Sequence, residues 1–292
     1  MKLVVFGALG LIGTELKAAS VLRGVEYSGF SRSQVDAADN RKIRETILGQ
    51  KPDVVVNAMT LAGVGPSEDD PGYAFSVHAC SARSIAEACS EIDAIYLHTS
   101  TNAIFDGTKR EPYTEADRPS PINVYGVTKL AGEYIARAYC AQHYIVRFPL
   151  IYGVRRQTDA RFVDQMVAQL TADQEIHVAD DKIDSFTYAK DAANGLLDIL
   201  DGNTAPGIYH LTNAGSASYY QFVCHLRDQL GSKSAIIRAK DRDFPSPGAK
   251  PLRSPLATNK SAPMRSWQAA LEEYVDSERC LISPETKTIY SS

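Results

Sequence analysis

The sequence has 292 residues, of which 44% are hydrophobic and 23% charged, which suffices for one large α/β domain or a larger domain carrying a smaller one. A net charge of −4 and a pI near 5.9, with Lys and Arg scattered, exclude the basic surface typical of nucleic-acid binding. No apolar run approaches the roughly 20 residues of a membrane helix. The opening MKLVVFG predicts a strand, with no cleavable leader. We therefore expect a cytoplasmic protein with no membrane or nucleic-acid partner.

Short apolar runs alternate with amphipathic stretches in the first half of the chain. This alternation predicts an α/β fold with a doubly wound parallel sheet. Continuous apolar strands such as VVVNA fit a sheet covered on both faces. Strands are predicted at KLVVFG, VEYSGF, DVVVNA, AIYLHTS and YIVRFPL, and helices near residues 11 to 22, 39 to 49, 73 to 91 and 123 to 140.

After Tyr152 the pattern loosens, which predicts a smaller C-terminal lobe assembled from segments. The expected division gives residues 1–150 and about 180–204 to the sheet domain, and about 151–179 and 205–292 to the lobe. The last dozen residues are expected to form a loose tail. Helices are predicted at 162–170, 189–200 and 218–230, and strands at IHVAD, GIYHLTN and AIIRA.

The cysteines are odd in number and show no C-x-x-C spacing, so we interpret them as buried thiols without a disulfide or metal role. The six histidines show no ligand spacing, and no metal is expected. The segment ADDKID is interpreted as a surface turn. The five cysteines are Cys80, Cys89, Cys140, Cys224 and Cys280.

A glycine-rich loop, GALGLIG, places Gly7, Gly10 and Gly13 between the first strand and the first helix. Glycine permits the tight turn and lets a phosphate approach backbone N–H groups, although any tight strand-to-helix turn favours glycine. The second strand ends in GFSRS, with Ser31 and Arg32 where an NAD-binding protein has an acidic residue. Arg32 suits a 2′-phosphate, which favours NADP(H) and leaves NAD(H) possible. The alternative is a solvated loop cation.

The segment INVYGVTKLAGE places Tyr125 and Lys129 one turn apart on a helix. A tyrosine beside an ammonium is a suitable proton donor for carbonyl reduction. Chance alone produces about one Tyr-x-x-x-Lys in a chain with 15 tyrosines. The hydroxyl cluster Thr99, Ser100 and Thr101 at the end of a strand makes a functional pair the better interpretation.

Six segments together resemble the extended short-chain dehydrogenase/reductases, and within them the dTDP-4-dehydrorhamnose reductase group. They are GALGLIG, KPDVVVNAM, TSTNAIFDG, PYTEADRPSPINVYGVTKLAGE, RFPLIYG and GIYHLTNAGSASYYQF. The resemblance implies a Rossmann-type domain with a smaller substrate-binding lobe. It also implies a catalytic triad of Thr101, Tyr125 and Lys129. In that family the tyrosine donates the proton, the lysine binds ribose and lowers the tyrosine pKa, and the threonine orients the keto group.

The resemblance further implies a nicotinamide cofactor and a nucleotide-sugar substrate bound between the sheet and the lobe. Homodimers are common in the superfamily. The lysine and tyrosine of the triad also contact the cofactor, and Thr101 and Tyr125 also contact the substrate. The other cofactor-binding residues implied are Gly7, Gly10, Leu11, Ile12, Gly13, Ser31, Arg32, Asp36, Ala58 and Met59.

The chain departs from the family pattern where the substrate is expected. Asn102 and Ala103 follow Thr101 in place of an acidic and an aromatic residue, and Leu150 replaces a large aromatic. Lys250 and Arg253 are candidate diphosphate ligands, although lysine lacks the bidentate fork of arginine. Asn102 is the remaining substrate-binding candidate. His78 replaces a helix asparagine, and it is either near the active site or a packing residue.

Three functional hypotheses follow from these residues. The leading one is an NADPH-preferring reductase of a nucleotide-diphospho-4-keto-6-deoxysugar. A second is a non-catalytic NADP-binding regulatory subunit that resembles the β subunit of methionine adenosyltransferase. The segment RFPLIYG of this chain, with Pro149, is more similar to the corresponding strand of that subunit than to that of the reductases. A third is an epimerase or dehydratase of the superfamily, which the missing carboxylate pair after Thr101 disfavours.

Overall fold

The computed structural model describes residues 1–154, 161–202 and 204–282. In these residues short strands alternate with helices along the chain. The strands are β1 (Lys2–Phe6), β2 (Glu26–Phe30), β3 (Val54–Asn57), β4 (Ile95–Thr101), β5 (His143–Phe148), β6 (Leu150–Tyr152), β7 (Ile176–Ala179), β8 (Ile183–Asp184), β9 (Phe186–Tyr188), β10 (Gly207–His210), β11 (Ala217–Ser218) and β12 (Ile236–Ala239).

The helices follow the predicted positions closely, with three additions. The first addition is a short helix, α3, which precedes the predicted helix at 73–91. The second is a π-helical turn at Ser76–Cys80, which divides that predicted helix into two α-helical parts. The third addition, α10, lies near the C-terminus. The α-helices are α1 (Leu11–Leu22), α2 (Asn40–Gln50), α3 (Val64–Asp69), α4 (Pro71–Phe75), α5 (Ser81–Glu91), α6 (Val124–Tyr139), α7 (Phe162–Thr171), α8 (Ala189–Asp201), α9 (Tyr219–Leu230) and α10 (Trp267–Ile282).

The central sheet has six parallel strands in the order β2-β1-β3-β4-β5-β10. Its strands are apolar on both faces, as β1 illustrates. Leu3 and Val5 pack in the core that contains α1 and α8 residues, whereas Val4 and Phe6 pack in the core that contains α2 and α5 residues. The predicted doubly wound sheet is therefore confirmed, because side chains on alternate sides of each strand need helices on both faces.

The direction in which the strands are added reverses at β1. The chain passes from β1 outward to β2, and then crosses back to β3 on the other side of β1. Ligands of such sheets bind beyond the carboxyl ends of the strands at this switch point. Here those ends carry Gly7, after β1, and Ala58, after β3.

Strand β10 belongs to the central sheet, although the expected division assigned residues 205–292 to the smaller lobe. It pairs in parallel with β5, with Ile208 opposite Ile145. Helix α8 packs against α1 in the core on one face of the sheet. The chain therefore leaves α8 near the edge of the sheet, and β10 adds a strand there. The sequence pattern alone does not distinguish a strand of the central sheet from one of the lobe.

The smaller lobe has a core of its own, formed by short strand pairs and helices α7, α9 and α10. Phe186 and Phe222 stack at a centroid distance of 4.0 Å, and Trp267 lies beside them. Helix α10 was not predicted from the sequence. Its buried residues are spaced as one helix face: Trp267, Ala270, Leu271, Tyr274 and Val275. Most of the predicted loose tail, residues 283–292, lies outside the described residues.

The cysteines only partly match their predicted burial. Cys89 and Cys140 are buried, but Cys80 is exposed and Cys224 half-buried, and all four are free thiols. Cys80 ends the π-helical turn on the solvent side, so helix periodicity decides its exposure. The side chain of Cys280 lies outside the described part of the chain.

Two features are absent from the described residues, a membrane-spanning helix and a metal-binding cluster. None of the helices in these residues has the length and apolarity that a membrane span requires. Across the same ranges, no group of three or more His, Cys, Asp or Glu side chains is placed to hold a metal ion.

Candidate active site

A cleft of about 660 Å³ lies at the switch point of the sheet. Its walls are the ends of β1, β3 and β4, the start of α1, one face of α6 and the residue before α7. Most residues predicted to bind the cofactor or to react meet here. They are Gly7, Gly10, Leu11, Ile12, Gly13, Ser31, Arg32, Ala58, Met59, Thr101, Tyr125 and Lys129.

The glycine loop is tightly packed between β3 and the first turn of α1. Gly7 has a φ of +83°, and a Cβ on it would lie 2.6 Å from the carbonyl oxygen of Ala58. A Cβ on Gly13 would lie 2.5 Å from the carbonyl oxygen of Gly7. Both distances are shorter than non-bonded atoms tolerate, so the loop requires glycine at these positions.

The N-terminus of α1 is available to an anion. No side chain caps it at Gly10, and its first turn contains no acidic residue. The backbone N–H groups of the first turn lack partners within the helix, and the helix dipole adds positive potential there. The site therefore fits the diphosphate of a dinucleotide.

The loop after β2 places a cation at the rim of the cleft. The Arg32 guanidinium lies 5.6 Å from the ring centroid of Tyr73 and 3.4 Å from a carboxylate oxygen of Asp36. Its side chain is 75% exposed, so this ion pair is weak and leaves Arg32 accessible. Asp36 does not line the cleft, and its carboxylate accepts a hydrogen bond from the Ala38 N–H at 2.8 Å.

Tyr125 is held in the first turn of α6. Asn123 caps this helix, and its side chain accepts a hydrogen bond from the Gly126 N–H at 2.7 Å. The Tyr125 side chain lines the cleft together with Thr60 and Thr101, and the hydroxyls of both threonines act on its pKa. Burial raises the pKa of Tyr125, whereas these two hydroxyls and the charge of Arg161 oppose the rise.

Lys129 lies one turn further along α6 and is only 3% exposed. Its ammonium donates a hydrogen bond to the backbone carbonyl of Thr99 at 2.6 Å. Burial lowers the Lys129 pKa to about 8, against the opposing charge of Glu133. Glu133 forms a buried ion pair with Arg147 at 2.7 Å, so its negative charge is shared rather than directed only at the lysine.

Asn102, one of the predicted substrate ligands, lies outside the cleft lining and is buried. Its amide donates to Asp184 Oδ1 at 2.7 Å and to the Ser254 carbonyl at 2.8 Å. Burial raises the pKa of Asp184 to about 7. The interpretation of ADDKID as a surface turn is therefore wrong at Asp184, because this side chain packs inward against Asn102.

Lys250 and Arg253 also lie outside the cleft lining. Arg253 donates a hydrogen bond to the Arg110 carbonyl at 3.1 Å. The segment that contains both residues is nevertheless fixed by residues beside Tyr125 and Thr101 in the chain. Asn123, two residues before Tyr125, donates to the Ala249 carbonyl at 2.8 Å, and Asn102 binds Ser254 from the other side.

Among the cleft residues that sequence reasoning missed are two that act on the Tyr125 pKa, Thr60 and Arg161. Arg161 precedes α7 and donates to the Ala62 carbonyl at 3.3 Å, so it reaches across the cleft from the smaller lobe. No sequence signal marks it. For Thr60 the signal was indirect: His78, noted as an unusual helix residue, lies 3.2 Å from its hydroxyl.

Comparison with known proteins identifies the family to which this chain belongs. The profile of the RmlD substrate binding domain family matches residues 1–280. This chain belongs to that family. Over 281 residues it is 33% identical to the dTDP-4-dehydrorhamnose reductase of Mycolicibacterium smegmatis, which covers 94% of this chain and 85% of the relative. It is 30% identical to the spore coat polysaccharide biosynthesis protein SpsK of Bacillus subtilis, over 94% of this chain and 96% of that one.

Solved structures of the RmlD family are similar over nearly the whole chain. A dTDP-4-dehydrorhamnose reductase from Clostridium acetobutylicum aligns with a TM-score of 0.90 and 27% identity, covering 96% of this chain and all of that one. The enzyme from Bacillus anthracis, solved in complex with NADP, aligns with a TM-score of 0.89 and 26% identity. That alignment covers 95% of this chain and all of the other.

Proposed function

We propose that this chain is an NADPH-preferring reductase of a nucleotide-diphospho-4-keto-6-deoxysugar. The observation that supports it most is the convergence of Thr101, Tyr125 and Lys129 in one cleft with an uncapped helix N-terminus. The similar M. smegmatis and C. acetobutylicum proteins are dTDP-4-dehydrorhamnose reductases, and the B. anthracis structure contains NADP. These names agree with the chemistry that the cleft supports.

The cofactor-binding residues are proposed from the lining of the cleft. The N–H groups from Gly10 to Gly13 would hold the diphosphate, and Ser31 and Arg32 would bind the 2′-phosphate of the adenine ribose. Asp36 remains proposed near the adenine, and its carboxylate lies 3.4 Å from the Arg32 guanidinium. Ala58 and Met59 would line the cofactor beside β3. When bound, NADPH supplies the hydride.

The proposed triad divides the protein's part of the reaction. Thr101 donates a hydrogen bond that orients the substrate carbonyl, and Tyr125 protonates the oxygen as it becomes an alkoxide. The Lys129 ammonium favours the phenolate that remains on Tyr125. Its hydrogen bond to the Thr99 carbonyl keeps the ammonium at this depth in the cleft.

The substrate residues are proposed at the boundary with the smaller lobe. Lys250 and Arg253 would bind the diphosphate of the nucleotide, because their segment is fixed beside both Thr101 and Tyr125. Asn102 already donates to Asp184 and Ser254, so we propose that it contributes indirectly by holding this segment.

Three expectations from the sequence remain proposals. The first is the division into a sheet domain and a substrate-binding lobe, with β10 now placed in the sheet. The second is a homodimer, which the exposed Val127 and Tyr134, seven residues apart on α6, support. The third is a cytoplasmic protein without nucleic-acid partners, which agrees with the net charge of −4. Light scattering on the purified protein measures the assembly state directly.

The decisive experiment measures NADPH and NADH oxidation with a panel of nucleotide 4-keto-6-deoxysugars. We expect turnover with at least one sugar, a preference for NADPH, and loss of turnover in Tyr125→Phe while NADPH binding persists. Tight NADP binding without turnover of any sugar would contradict the reductase. Copurification of a methionine adenosyltransferase would then favour the regulatory alternative, which RFPLIYG with Pro149 suggests.

A further inference from the structure

Thr60 lies at the hydroxyl that is proposed to react. It follows β3 by a short loop and lines the cleft with Tyr125, and His78 contacts both its hydroxyl and the Tyr125 ring. Its hydroxyl lowers the Tyr125 pKa, as that of Thr101 does from the end of β4. The family resemblance assigns a role to Thr101 and none to Thr60. The phenol therefore has two threonine neighbours in the cleft, and the resemblance assigns a function to only one of them.

The Thr60 side chain is held by a buried histidine. His78 Nε2 lies 3.0 Å from the Leu61 backbone nitrogen and 3.2 Å from Thr60 Oγ1. Because the Leu61 N–H donates to Nε2, this nitrogen carries no hydrogen. Nδ1 therefore carries the hydrogen and donates it to Thr128 Oγ1 at 2.8 Å. The Thr128 hydroxyl donates in turn to the Val124 carbonyl at 2.9 Å.

The orientation of the His78 ring is built into the backbone. His78 lies in the π-helical turn Ser76–Cys80 between α4 and α5. Such turns insert one residue into a helix and re-aim side chains, frequently at functional sites. The ring meets the Tyr125 ring edge-on, with centroids 5.5 Å apart and an interplanar angle of 81°. It is 1% exposed, so neighbouring atoms fix its position.

These partners determine the direction of each hydrogen bond. With Nε2 unprotonated, the Thr60 hydroxyl donates to His78, sharing this nitrogen with the Leu61 N–H. Once Tyr125 has given its proton away, the Thr60 O–H can rotate and donate to the phenolate oxygen instead. The Leu61 N–H continues to donate to Nε2, so that nitrogen keeps a partner. The rotation breaks no covalent bond, and Thr60 keeps its proton.

We propose that Thr60 is a catalytic residue that stabilises the Tyr125 phenolate, and that His78 is the positioning residue that holds Thr60. This inference rests on the proposed function of Tyr125 as the proton donor. A hydrogen bond to a charged oxygen is stronger than one to a neutral oxygen, so the contact favours the transition state over the resting state.

The charged groups facing the phenol do not change in the variants below. They are Lys129, on the same helix face, and Arg161, which reaches over from the start of α7. Burial, together with the Lys129 charge, lowers the His78 pKa to about 2, so this ring stays neutral at working pH. A change in the titration of Tyr125 in the Thr60 variants is therefore caused by the lost hydroxyl.

The test compares Thr60→Val, which removes the hydroxyl at similar volume, with Thr60→Ser, which keeps it. Thr187→Val is the matched control, because Thr187 is buried, bonds Thr212 at 3.3 Å, and lies outside the cleft lining. The Tyr125 pKa is measured by NMR of 13Cζ-labelled tyrosine with NADP+ present, assigned by the signal missing in Tyr125→Phe. Steady-state kinetics give kcat, KM and the pH profile.

We expect Thr60→Val to raise the Tyr125 pKa by about 1 and to lower kcat about tenfold or more, the effect of one hydrogen bond to a charged group. The basic limb of the kcat profile should move upward with that pKa. KM and NADPH affinity should stay within about threefold, since a hydrogen bond made only in the transition state affects kcat alone. Thr60→Ser, which keeps the hydroxyl, should recover most of the kcat and pKa change seen in Thr60→Val, and Thr187→Val should match the wild type.

Two results separate the inference from the proposed function. If Tyr125→Phe is inactive while Thr60→Val keeps the wild-type kcat and tyrosine pKa, the role of Thr60 is refuted and the reductase stands. If Tyr125→Phe retains full turnover, the proton-donor role fails and the inference fails with it. His78→Leu should change the same quantities in the same direction as Thr60→Val, by a smaller factor.

Discussion

The sheet side of the cleft and the boundary with the smaller lobe beside it, called here the sheet wall and the lobe wall, differ in how their polar groups are used. On the sheet side, the uncapped start of α1, the Tyr125 phenol and the Lys129 ammonium all face the cleft. At the boundary with the smaller lobe, outside the cleft lining, Asn102 donates to Asp184 and Ser254, and all three residues are buried. The sheet wall thus presents groups to a ligand, whereas much of the lobe wall holds its own segments together.

This difference follows from the construction of each wall. Strand ends and helix starts leave backbone and side-chain groups unpaired at the edge of a parallel sheet, so a ligand site exists before any ligand arrives. The lobe segment from residue 249 to 254 has little regular structure, and hydrogen bonds to Asn123 and Asn102 fix it. The sheet wall therefore holds the groups proposed to react, and the lobe wall holds the segment proposed to bind the diphosphate of the nucleotide.

The largest effect expected on the sheet wall comes from Tyr125→Phe. Removal of a general acid costs about 10²- to 10⁴-fold in kcat. NADPH binding, measured by fluorescence, should remain within about threefold, because the anion-binding N–H groups of α1 are untouched. A loss of NADPH binding equal to the loss of kcat would show that the two functions of this wall are not separable.

A smaller effect is expected when the glycine loop is crowded. In Gly13→Ala the new methyl would lie 2.5 Å from the Gly7 carbonyl oxygen, so α1 must move away from the loop. NADPH affinity should fall at least about tenfold, or 1.4 kcal/mol. Gly24→Ala is the control, because a Cβ there meets no atom within 4 Å, although its φ of +66° adds some strain. Calorimetric titration with NADPH measures both.

Arg32→Gln tests the rim of the sheet wall. The charge of an exposed arginine contributes about 1 kcal/mol to a nearby phosphate contact, so NADPH preference over NADH should fall about fivefold. kcat with saturating NADPH should not change. Arg41→Gln, an exposed arginine on α2 outside the cleft lining, is the matched control. An unchanged ratio of kcat/KM for the two cofactors would make Arg32 a solvated loop cation.

The smallest effect on turnover is expected from Asp184→Asn, which changes the lobe wall. Because burial raises the folded-state pKa of Asp184 from 3.8 to about 7, folding favours the protonated form. The wild-type free energy of unfolding therefore loses this contribution as pH rises from about 4 to 7, by at most about 4 kcal/mol. The asparagine variant cannot titrate.

Urea unfolding at pH 5 and pH 8 measures this difference. We expect the variant to lose less stability than the wild type between the two pH values, with kcat at pH 6 within about threefold of the wild type. An equal loss of unfolding free energy in both proteins would show that folding does not raise the Asp184 pKa. A much reduced kcat in the variant would show that the lobe wall takes part in the reaction.

Sequence reasoning succeeded where local pattern and structure coincide. The strands and helices before Tyr152 have clear hydrophobic periodicity, and the predicted doubly wound sheet is confirmed. The candidates after β1, after β3 and on α6 meet in one cleft because all follow strands of a parallel sheet at the same edge. Helix α10 was missed, although its buried residues have helical spacing from Trp267 to Val275.

Reasoning from the sequence failed where long-range packing decides. Asp184 is hydrophilic by type and lies in an acidic segment, yet it is buried against Asn102, 82 residues earlier in the chain. Strand β10 was assigned to the lobe because its sequence does not indicate its neighbour. Thr60 and Arg161 have no local motif, and the fold brings them to Tyr125 from a loop and from the lobe.

The sequence by itself determined the class of fold, the glycine loop and the Tyr125–Lys129 pair, because these depend on periodicity and on spacings within one strand or helix. Only the tertiary structure decided which polar groups face the cleft. Whether Asn102, Thr60 or His78 meets a ligand or another side chain depends on contacts between segments distant in the chain. Such contacts form when the whole core packs, and no local spacing encodes them.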